Sequence, residues 1–323
     1  MSDTYFLTGA LGCIGAWVVK ELVQRGDRAF VFDPGDDLRR IHDLLGPEPS
    51  AGVEHVRGDV SDYAQVREAL ERSGARKIVH LAGLQVPFCK ADPVAGARVN
   101  VVGTVNLFQA AKELELERVV YASSAAVYGP AEEGQVPSEA DACEPLTHYG
   151  VYKRANEGNA RIFWIDDGVS SVGLRPLTVY GVGRDQGLTS GPTSAMKAAV
   201  LGRPHTIGFR GATDYQFAGD VARIFLDCAD RAPEGAHVFN LHGESVTVER
   251  VIELIEEHAP EAAGTITADG PELPIPPELD ASAIEEAVGE LPNTPFAEGV
   301  GATLEAFRAL QAAGRLDTRD LNL

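Results

Sequence analysis

The sequence predicts an α/β protein with a doubly wound parallel sheet and a smaller, mixed C-terminal lobe. In the first half, short apolar runs alternate with stretches whose apolar residues recur every three or four positions, the pattern of strands and amphipathic helices. Such alternation forms parallel sheets with helices on both faces. After Pro176 the alternation loosens. We therefore expect one domain over residues 1–175, with returning segments near 206–242, and a lobe over residues 176–323.

Each predicted element has a local signal. The first strand is a short apolar run that stops at Gly9, and the first helix carries Ile14, Val18 and Leu22 on one face. The proline-rich stretch 271–277 suits a rigid connector rather than a helix or an inner strand. The predicted strands are 5–8, 29–32, 53–56, 78–81, 119–121 and 170–174. The predicted helices are 14–25, 63–72, 101–115, 148–165, 194–201, 219–229 and 248–258.

Composition and charge exclude several function classes. The chain has 323 residues with 28 basic and 48 acidic side chains, and its formal charge of −20 repels nucleic acid and anionic membranes. It has no apolar run of about 18 residues and no basic N-terminal segment, so we predict neither a membrane span nor a signal peptide. The four cysteines form no CxxC pair or Cys/His cluster. We expect no metal site, and reduced thiols in a cytoplasmic protein.

A glycine-rich loop follows the first strand and opens the first helix. Glycine permits a tight turn and lets backbone N–H groups approach a pyrophosphate, and the helix N-terminus adds a favourable partial charge. The order of strand, loop and helix distinguishes this segment from an ordinary flexible turn. It predicts a dinucleotide-binding loop formed by Gly9, Gly12, Cys13, Ile14 and Gly15.

Asp33 ends the second strand, 24 residues after Gly9. A carboxylate at this point accepts hydrogen bonds from both ribose hydroxyls of NAD and repels a 2′-phosphate, so we predict NAD as the cofactor. Arg39 and Arg40 lie nearby and leave NADP open as an alternative. We interpret these two arginines as part of a solvated helix face.

Tyr149 and Lys153 form the predicted catalytic pair. Residues four apart share one face of a helix, so both side chains can point at one cofactor. Tyrosine has a reference pKa of about 10, and a neighbouring ammonium together with a nicotinamide cation favours the phenolate. The pair follows a serine-rich strand end, where the Ser124 hydroxyl can hydrogen-bond the substrate oxygen that exchanges a proton. Taken alone, Ser123 and Ser124 also fit a capped turn.

Together these motifs resemble the extended short-chain dehydrogenase/reductase family, and within it the sugar epimerase/dehydratase branch. The similarity runs over nearly the whole chain and implies a Rossmann-type sheet, NAD dependence and a carbohydrate substrate. The matching segments are 8–15, Asp33, 58–60, 80–83, Asn100, 103–104, 123–124 with 127–129, Tyr149 with Lys153, 175–176 with 179–181, and 220–222.

The resemblance implies roles for individual residues. Ser124 matches the catalytic Ser/Thr of the family, and Pro176 is expected to border the nicotinamide. The other implied cofactor contacts are Asp59, Val60, Leu81, Ala82, Gly83, Asn100 and Ser123, with Tyr149 and Lys153. The expected substrate contacts are Gln85, Ser124, Ala125, Tyr149 and Thr178.

Two departures from the family pattern concern the reaction and the substrate. Family dehydratases and decarboxylases carry an acid where this chain has Ala126, so elimination is disfavoured. Sugar-nucleotide enzymes typically have an asparagine in the place of Thr178, and in the place of Thr213 an arginine that helps grip a diphosphate. The candidate substitutes for that arginine are Arg184, Arg203 and Arg210. Either the loops have diverged, or the substrate is a smaller sugar, sugar acid or polyol without a nucleotide.

The sequence leaves the net reaction open. An epimerase returns hydride to the other face of its keto intermediate, whereas a net dehydrogenase releases NADH, and both need Ser124, Tyr149 and Lys153. A non-catalytic dinucleotide sensor is the competing class, and retention of all three residues argues against it. The resemblance also implies a homodimer that is formed through helices 101–115 and 148–165.

Overall fold

The structure is a computed structural model that describes residues 2–47, 52–132 and 134–321. Strands and helices alternate along the first half, as the sequence pattern predicts. The strands are β1 (Thr4–Thr8), β2 (Arg28–Asp33), β3 (Val53–Arg57), β4 (Lys77–His80), β5 (Arg118–Ala122), β6 (Ser171–Arg175), β7 (Thr178–Tyr180), β8 (His205–Ile207), β9 (Ala212–Phe217), β10 (Ala236–Asn240), β11 (Glu244–Thr247) and β12 (Ile266–Ala268).

The helices cover both faces of the main sheet and, together with short strands, form the C-terminal half. They are α1 (Cys13–Arg25), α2 (Arg39–Leu45), α3 (Tyr63–Ser73), α4 (Val86–Ala91), α5 (Pro93–Ala97), α6 (Gly103–Glu113), α7 (His148–Asp167), α8 (Gly191–Val200), α9 (Ala218–Arg231), α10 (Val248–His258), α11 (Ser282–Val288) and α12 (Phe296–Ala312). None of the described helices is long and apolar enough to cross a membrane.

Seven strands form one parallel sheet in the order β3, β2, β1, β4, β5, β6, β10. The central strand β1 pairs with β2 and β4, and its side chains Tyr5, Phe6 and Leu7 are fully buried because helices cover both faces. The direction of winding reverses between β1 and β4. In doubly wound sheets this switch point opens a crevice at the carboxyl ends of the strands.

The C-terminal part adds two small sheets. β11 pairs antiparallel with β9, β9 pairs parallel with β7, and β12 pairs parallel with β8. The rings of Tyr180 and Tyr215 pack against Phe296 with centroid separations of 4.9 and 4.7 Å. These aromatic residues belong to the same buried cluster as one face of the main sheet, so the lobe shares its core.

The predicted fold class is confirmed, and the six predicted strands all pair in the main sheet. The seventh strand, β10, comes from the segment near 206–242, whereas β8 and β9 of that segment join the small sheets. The predicted helix 101–115 starts differently, because a π-helical turn spans Arg98–Val102 before α6 begins at Gly103. Residues 271–277 form no helix or strand beyond a single bridge between Glu272 and Arg210.

Candidate active site

A cavity of about 530 Å³ opens at the carboxyl ends of the parallel strands. Its wall runs from the β1–α1 loop past the ends of β2, β4 and β5 to the segment that follows β7. The sheet therefore brings together motif residues that are more than a hundred positions apart in the sequence.

The glycine loop packs closely against its neighbours. Gly9 has a left-handed φ of +68°, and a Cβ there would lie 2.4 Å from the backbone nitrogen of Ala82. A Cβ on Gly15 would lie 2.4 Å from the carbonyl oxygen of Gly9. Only glycine fits at both positions, and this close packing brings the first turn of α1 to the cavity wall. That turn carries no acidic side chain. The free N–H groups of that turn suit the pyrophosphate of a dinucleotide.

Asp33 lies at the end of β2 on the same wall. Its carboxylate accepts hydrogen bonds from the backbone N–H groups of Gly35 (3.1 Å) and Leu11 (3.4 Å). Burial raises the pKa of Asp33, and these two bonds oppose the rise. The bonds also fix the position of the carboxylate, where the ribose hydroxyls of NAD can donate to it.

Arg39 and Arg40 do not form the solvated helix face that we expected. The Arg40 guanidinium donates to the carbonyl oxygens of Leu11 (2.7 Å) and Gly183 (3.1 Å) and pairs with Asp185 at 2.6 Å. Arg39 pairs with the same carboxylate at 2.8 Å. Because Arg40 already binds a carboxylate and two carbonyls, its charge is not free for a 2′-phosphate, which agrees with NAD rather than NADP.

These contacts attach residues 182–189, which we call the cover loop, to the N-terminal half of the chain. Trp17 of α1 donates to the carbonyl oxygen of Val182 at 3.0 Å, and a Cβ on Gly183 would lie 3.7 Å from the Cα of Cys13. Residues 183–189 line the cavity. The cover loop therefore forms one wall of the cavity and lies against the first turn of α1.

Tyr149 and Lys153 lie near the start of α7 and both line the cavity. Lys153 is 4% exposed, and its Nζ donates to the carbonyl oxygen of Ala122 at 2.6 Å. Burial lowers the pKa of Lys153 to about 8. The Nζ atom lies 5.5 Å from the centre of the Tyr149 ring. Burial raises the pKa of Tyr149, whereas a hydrogen bond with Ser124 and the charge of Arg184 lower it.

A short turn after β5 presents Ser124 beside this phenol. The Ser124 Oγ accepts a hydrogen bond from the backbone N–H of Ala126, and the N–H of Ala125 donates to the carbonyl oxygen of Pro176, both at 3.1 Å. Gly150 lets α7 approach, because a Cβ there would lie 2.3 Å from the carbonyl oxygen of Ala126. Since its oxygen accepts from the backbone, the Ser124 hydroxyl can donate its proton into the cavity.

A buried ion pair supports this turn and was missed by the sequence reasoning. Arg175 pairs with Glu157 at 2.8 Å, and both side chains are at most 2% exposed. Burial raises the pKa of Glu157, but the hydrogen bonds and charge of Arg175, together with hydrogen bonds from Ser123 and Arg154, outweigh burial and lower it. The Oγ of Ser123 donates to Glu157 at 2.6 Å, so this predicted cofactor residue lines the cavity while its hydroxyl faces the ion pair.

Most of the predicted site residues converge on this one cavity. Those that line it are Gly9, Gly12, Cys13, Ile14, Gly15, Asp33, Asp59, Val60, Leu81, Ala82, Gly83, Gln85, Ser123, Ser124, Ala125, Tyr149, Lys153 and Pro176.

Two predicted contacts, those of Asn100 and Thr178, need correction. Asn100 is 1% exposed and binds the backbone of Leu84, accepting from its N–H at 2.7 Å and donating to its carbonyl oxygen at 2.9 Å. It therefore holds the loop after β4 rather than facing the cofactor. Thr178 is fully buried, and its hydroxyl lies 2.9 Å from that of Thr213, so it does not reach the substrate side of the cavity.

The sequence reasoning did not predict the cover loop as a cavity wall. Of the three candidate arginines only Arg184 lines the cavity, whereas Arg210 pairs with Asp269 at the surface and Arg203 is exposed. Glycines at 181, 183 and 187, all with positive φ, were the available signal of a tightly shaped loop. Outside the cover loop the unpredicted lining residues are mainly apolar and include Val86, Leu146, Leu177, Pro274 and Ile275.

The fold and the site define a dinucleotide-dependent oxidoreductase: a glycine loop and an acidic strand end face a Ser/Tyr/Lys set across one cavity. Comparison with known families agrees. Residues 5–241 match the family described as "NAD dependent epimerase/dehydratase family", and the chain belongs to that family. It is an NAD-dependent, epimerase-type enzyme of the extended short-chain dehydrogenase/reductase class.

Three relatives illustrate the similarity. A UDP-glucose 4-epimerase from Mycolicibacterium smegmatis is 31% identical over 94% of this chain and 97% of its own length. UDP-glucuronate 4-epimerase 1 from Arabidopsis thaliana is 29% identical over 78% of this chain and 64% of its own length. The crystal structure of a UDP-glucose 4-epimerase from Thermus thermophilus in complex with NAD is 26% identical, with a TM-score of 0.81 over 94% of this chain and 99% of that one.

Proposed function

We propose that the protein oxidises a secondary alcohol of a carbohydrate to a ketone and reduces it again on the opposite face, with NAD as the hydride carrier. The observation that supports this most directly is the convergence of Ser124, Tyr149 and Lys153 on a cavity whose other wall carries the glycine loop. When bound, NAD supplies the acceptor and donor of hydride.

In this proposal Tyr149 exchanges the proton of the substrate hydroxyl. The Ser124 hydroxyl donates to the same substrate oxygen, because its own oxygen is occupied by the N–H of Ala126. Lys153 is an ammonium below its pKa of about 8 and lies 5.5 Å from the centre of the Tyr149 ring, where we propose that its charge adds to that of Arg184 in favouring the phenolate. Proton transfer and charge stabilisation thus come from three side chains that the turn after β5 and helix α7 hold together.

The residues beside this set argue against elimination of water. Dehydration needs a second acid or base near the carbon that loses its proton. Position 126 lines the cavity directly beside Ser124 and carries only a methyl group. The proposed chemistry is therefore hydride transfer and its reversal.

We assign the cofactor and the substrate to different parts of the chain. Residues 1–175 would bind NAD, with the pyrophosphate at Gly12–Gly15, the adenosine ribose at Asp33 and the adenine near Asp59. Lys153 would also hold the nicotinamide ribose. Most of residues 176–323, including the cover loop, would enclose the substrate. Isothermal titration of NAD into Asp33→Asn and wild-type protein tests the ribose assignment, and equal affinities would contradict it.

A sugar nucleotide is the first candidate substrate, because the relatives above are epimerases of UDP-sugars. A second candidate is a smaller sugar, sugar acid or polyol. Its support is the Thr178–Thr213 pair, in which the two hydroxyls satisfy each other and are at most 1% exposed. Neither threonine can offer a charge to a diphosphate.

One assay separates epimerisation from net oxidation. The protein is incubated with NAD and a panel of UDP-sugars, free sugars and sugar acids, and NADH absorbance and isomer composition are followed together. Isomers without accumulation of NADH support the proposed epimerase. Stoichiometric NADH release would instead identify a net dehydrogenase, and binding of NAD without either product would favour a dinucleotide sensor.

We also propose that the protein forms a homodimer through α6 and α7, as the family resemblance implies. Exposed apolar side chains support this surface: Val102 precedes α6, and Val151, Ile162 and Ile165 lie on α7, each at least 46% exposed. Sedimentation measurements on wild-type protein and the Ile165→Asp variant test the proposal. A monomeric wild type would overturn it.

A cytoplasmic location is proposed on the state of the thiols. The four cysteines are unpaired, and Cys89 and Cys228 are buried. Titration of the thiols in protein isolated from its native source under conditions that block exchange should find four free groups per chain. Finding oxidised pairs would contradict this proposal.

A further inference from the structure

The cover loop brings one cation to the cavity without an anionic partner. Arg184 has no carboxylate within ion-pair distance among the described residues, and its side chain makes a single hydrogen bond, from Nη2 to Thr189 at 3.0 Å. Its Nε is buried and has no hydrogen-bond partner within the described part of the chain. A buried N–H group without an acceptor is costly, so this guanidinium is suited to an anion that enters the cavity.

Gln85 presents a second unsatisfied group at the same place. Its Oε1 is buried, and none of the residues that the structure describes donates a hydrogen bond to it. A Cβ built on Gly187 would lie 2.4 Å from this oxygen and 3.3 Å from Nη2 of Arg184, so the two side chains flank the same glycine. A carboxylate bound to Arg184 would therefore have an amide beside it that can bind a neighbouring hydroxyl.

The other cations of the cavity are already committed. Arg40 is neutralised by Asp185 at 2.6 Å, and Lys153 is bound to the carbonyl oxygen of Ala122. Arg184 lines the same cavity as Ser124, Tyr149 and Lys153, and its charge lowers the pKa of Tyr149. An anion at Arg184 thus lies near the reacting groups, as a charged group on the sugar itself would.

We propose that Arg184, assisted by Gln85, binds a carboxylate carried by the sugar of the substrate, so that the enzyme selects acidic over neutral sugars. This rests on the proposed hydride-transfer function and specifies its substrate class. Two kinds of molecule carry the required group: a free sugar acid, and a nucleotide-linked uronic acid. The planar guanidinium binds carboxylates through two parallel hydrogen bonds, which a lysine ammonium cannot reproduce.

Binding to a catalytically inactive form tests the inference independently of turnover. NAD-loaded Tyr149→Phe protein is titrated by calorimetry with gluconate, glucuronate, UDP-glucuronate and the neutral partner UDP-glucose. We expect at least one acid to bind to the Tyr149→Phe protein. Introducing Arg184→Met as a second substitution should weaken the affinity for that acid about ten- to hundredfold. Arg184→Lys, introduced in place of Arg184→Met, should restore only part of the affinity for the acid. Arg203→Gln, which changes an exposed arginine outside the cavity, is the matched control and should have no effect.

The comparison among ligands decides the source of the carboxylate. Binding of the free acids would identify a small sugar acid, and binding of UDP-glucuronate alone would identify a nucleotide-linked one. Either result supports the inference. Equal affinity for UDP-glucose and UDP-glucuronate, or failure of all three acids to bind, would overturn it.

Two further outcomes are informative. If Arg184→Met weakened NAD binding and left the preference for acids unchanged, Arg184 would serve the cofactor and the inference would be wrong. If the wild type epimerised neutral sugars as well as acidic ones, the proposed hydride transfer would stand while the carboxylate selectivity would be lost. The two proposals can therefore fail separately.

Discussion

The Nζ of Lys153 donates to the carbonyl oxygen of Ala122 at 2.6 Å, within a side chain that is only 4% exposed. Burial lowers the pKa of this ammonium from 10.5 to about 8. Below pH 8 the folded apoprotein therefore carries a buried charge, which lowers its free energy of unfolding. Between pH 8 and 10.5 only the unfolded chain keeps the proton, so stability rises with pH in this window.

Lys153→Met should abolish this rise of stability with pH and should also abolish catalysis. We expect the free energy of unfolding of the wild-type apoprotein to rise relative to the variant by up to about 3 kcal/mol from pH 8 to 10.5. Urea denaturation at pH 7, 8, 9 and 10 measures the difference. Parallel stability curves would show that the lysine titrates as it does in solution. In the assay above, kcat should fall by at least about a hundredfold.

Tyr149→Phe tests the proposed proton transfer. The variant keeps the aromatic ring but lacks the hydroxyl that exchanges the substrate proton in the proposed mechanism, so kcat should fall by about 10² to 10⁴ while NAD affinity stays within about twofold. Tyr152→Phe is the matched control, because its hydroxyl donates to the carbonyl oxygen of Pro93 at 2.8 Å and the residue does not line the cavity. Similar losses of kcat in both variants would contradict the assignment.

How far the sequence predicts the site depends on where each residue stands relative to the sheet. Gly9 and Ser124 follow strand ends and Asp33 is the last residue of a strand. A parallel sheet gathers its strand ends at one edge, so local patterns were sufficient. Asn100 and Thr178 were misassigned for the opposite reason. Their roles depend on pairings with Leu84 and Thr213 that no local pattern encodes.

The arginines show the same limit. Arg40 was expected to lie on a solvated helix face, but it is held by Asp185, which lies 145 residues away in the sequence. Likewise Arg175 and Glu157 form a buried pair only after β6 and α7 pack together. Long-range ion pairs depend on tertiary packing, so the fold was predictable in outline while its charged contacts were not.

Asp185→Asn tests whether the cover loop retains the cofactor. The carboxylate joins Arg39 and Arg40 to this loop at 2.8 and 2.6 Å, so its loss should loosen the loop and speed NAD release by about tenfold. Stopped-flow displacement of NAD measures the release rate. Asp317→Asn, which removes a carboxylate 3.0 Å from Arg39 outside the cavity, is the control and should leave the rate unchanged. An unchanged rate in Asp185→Asn would mean that the loop does not limit release.

Glu157→Gln tests the buried support of the catalytic turn. It leaves the Arg175 guanidinium buried without a counter-charge, so stability at pH 7 should fall by about 3–5 kcal/mol. The matched control is Glu117→Gln, whose partner Arg76 is exposed. The free energy of unfolding of this variant should fall by no more than about 1 kcal/mol.

The stabilisation by Glu157 should also depend on pH. Because the folded-state pKa of Glu157 is lowered, its ionised carboxylate contributes fully to stability above the ordinary value of 4.5, and this contribution is lost as pH falls through the folded-state pKa. Urea denaturation at pH 7 and below pH 4.5 should therefore show the wild type converging on Glu157→Gln in acid, and a constant difference would contradict the assignment of the ion pair.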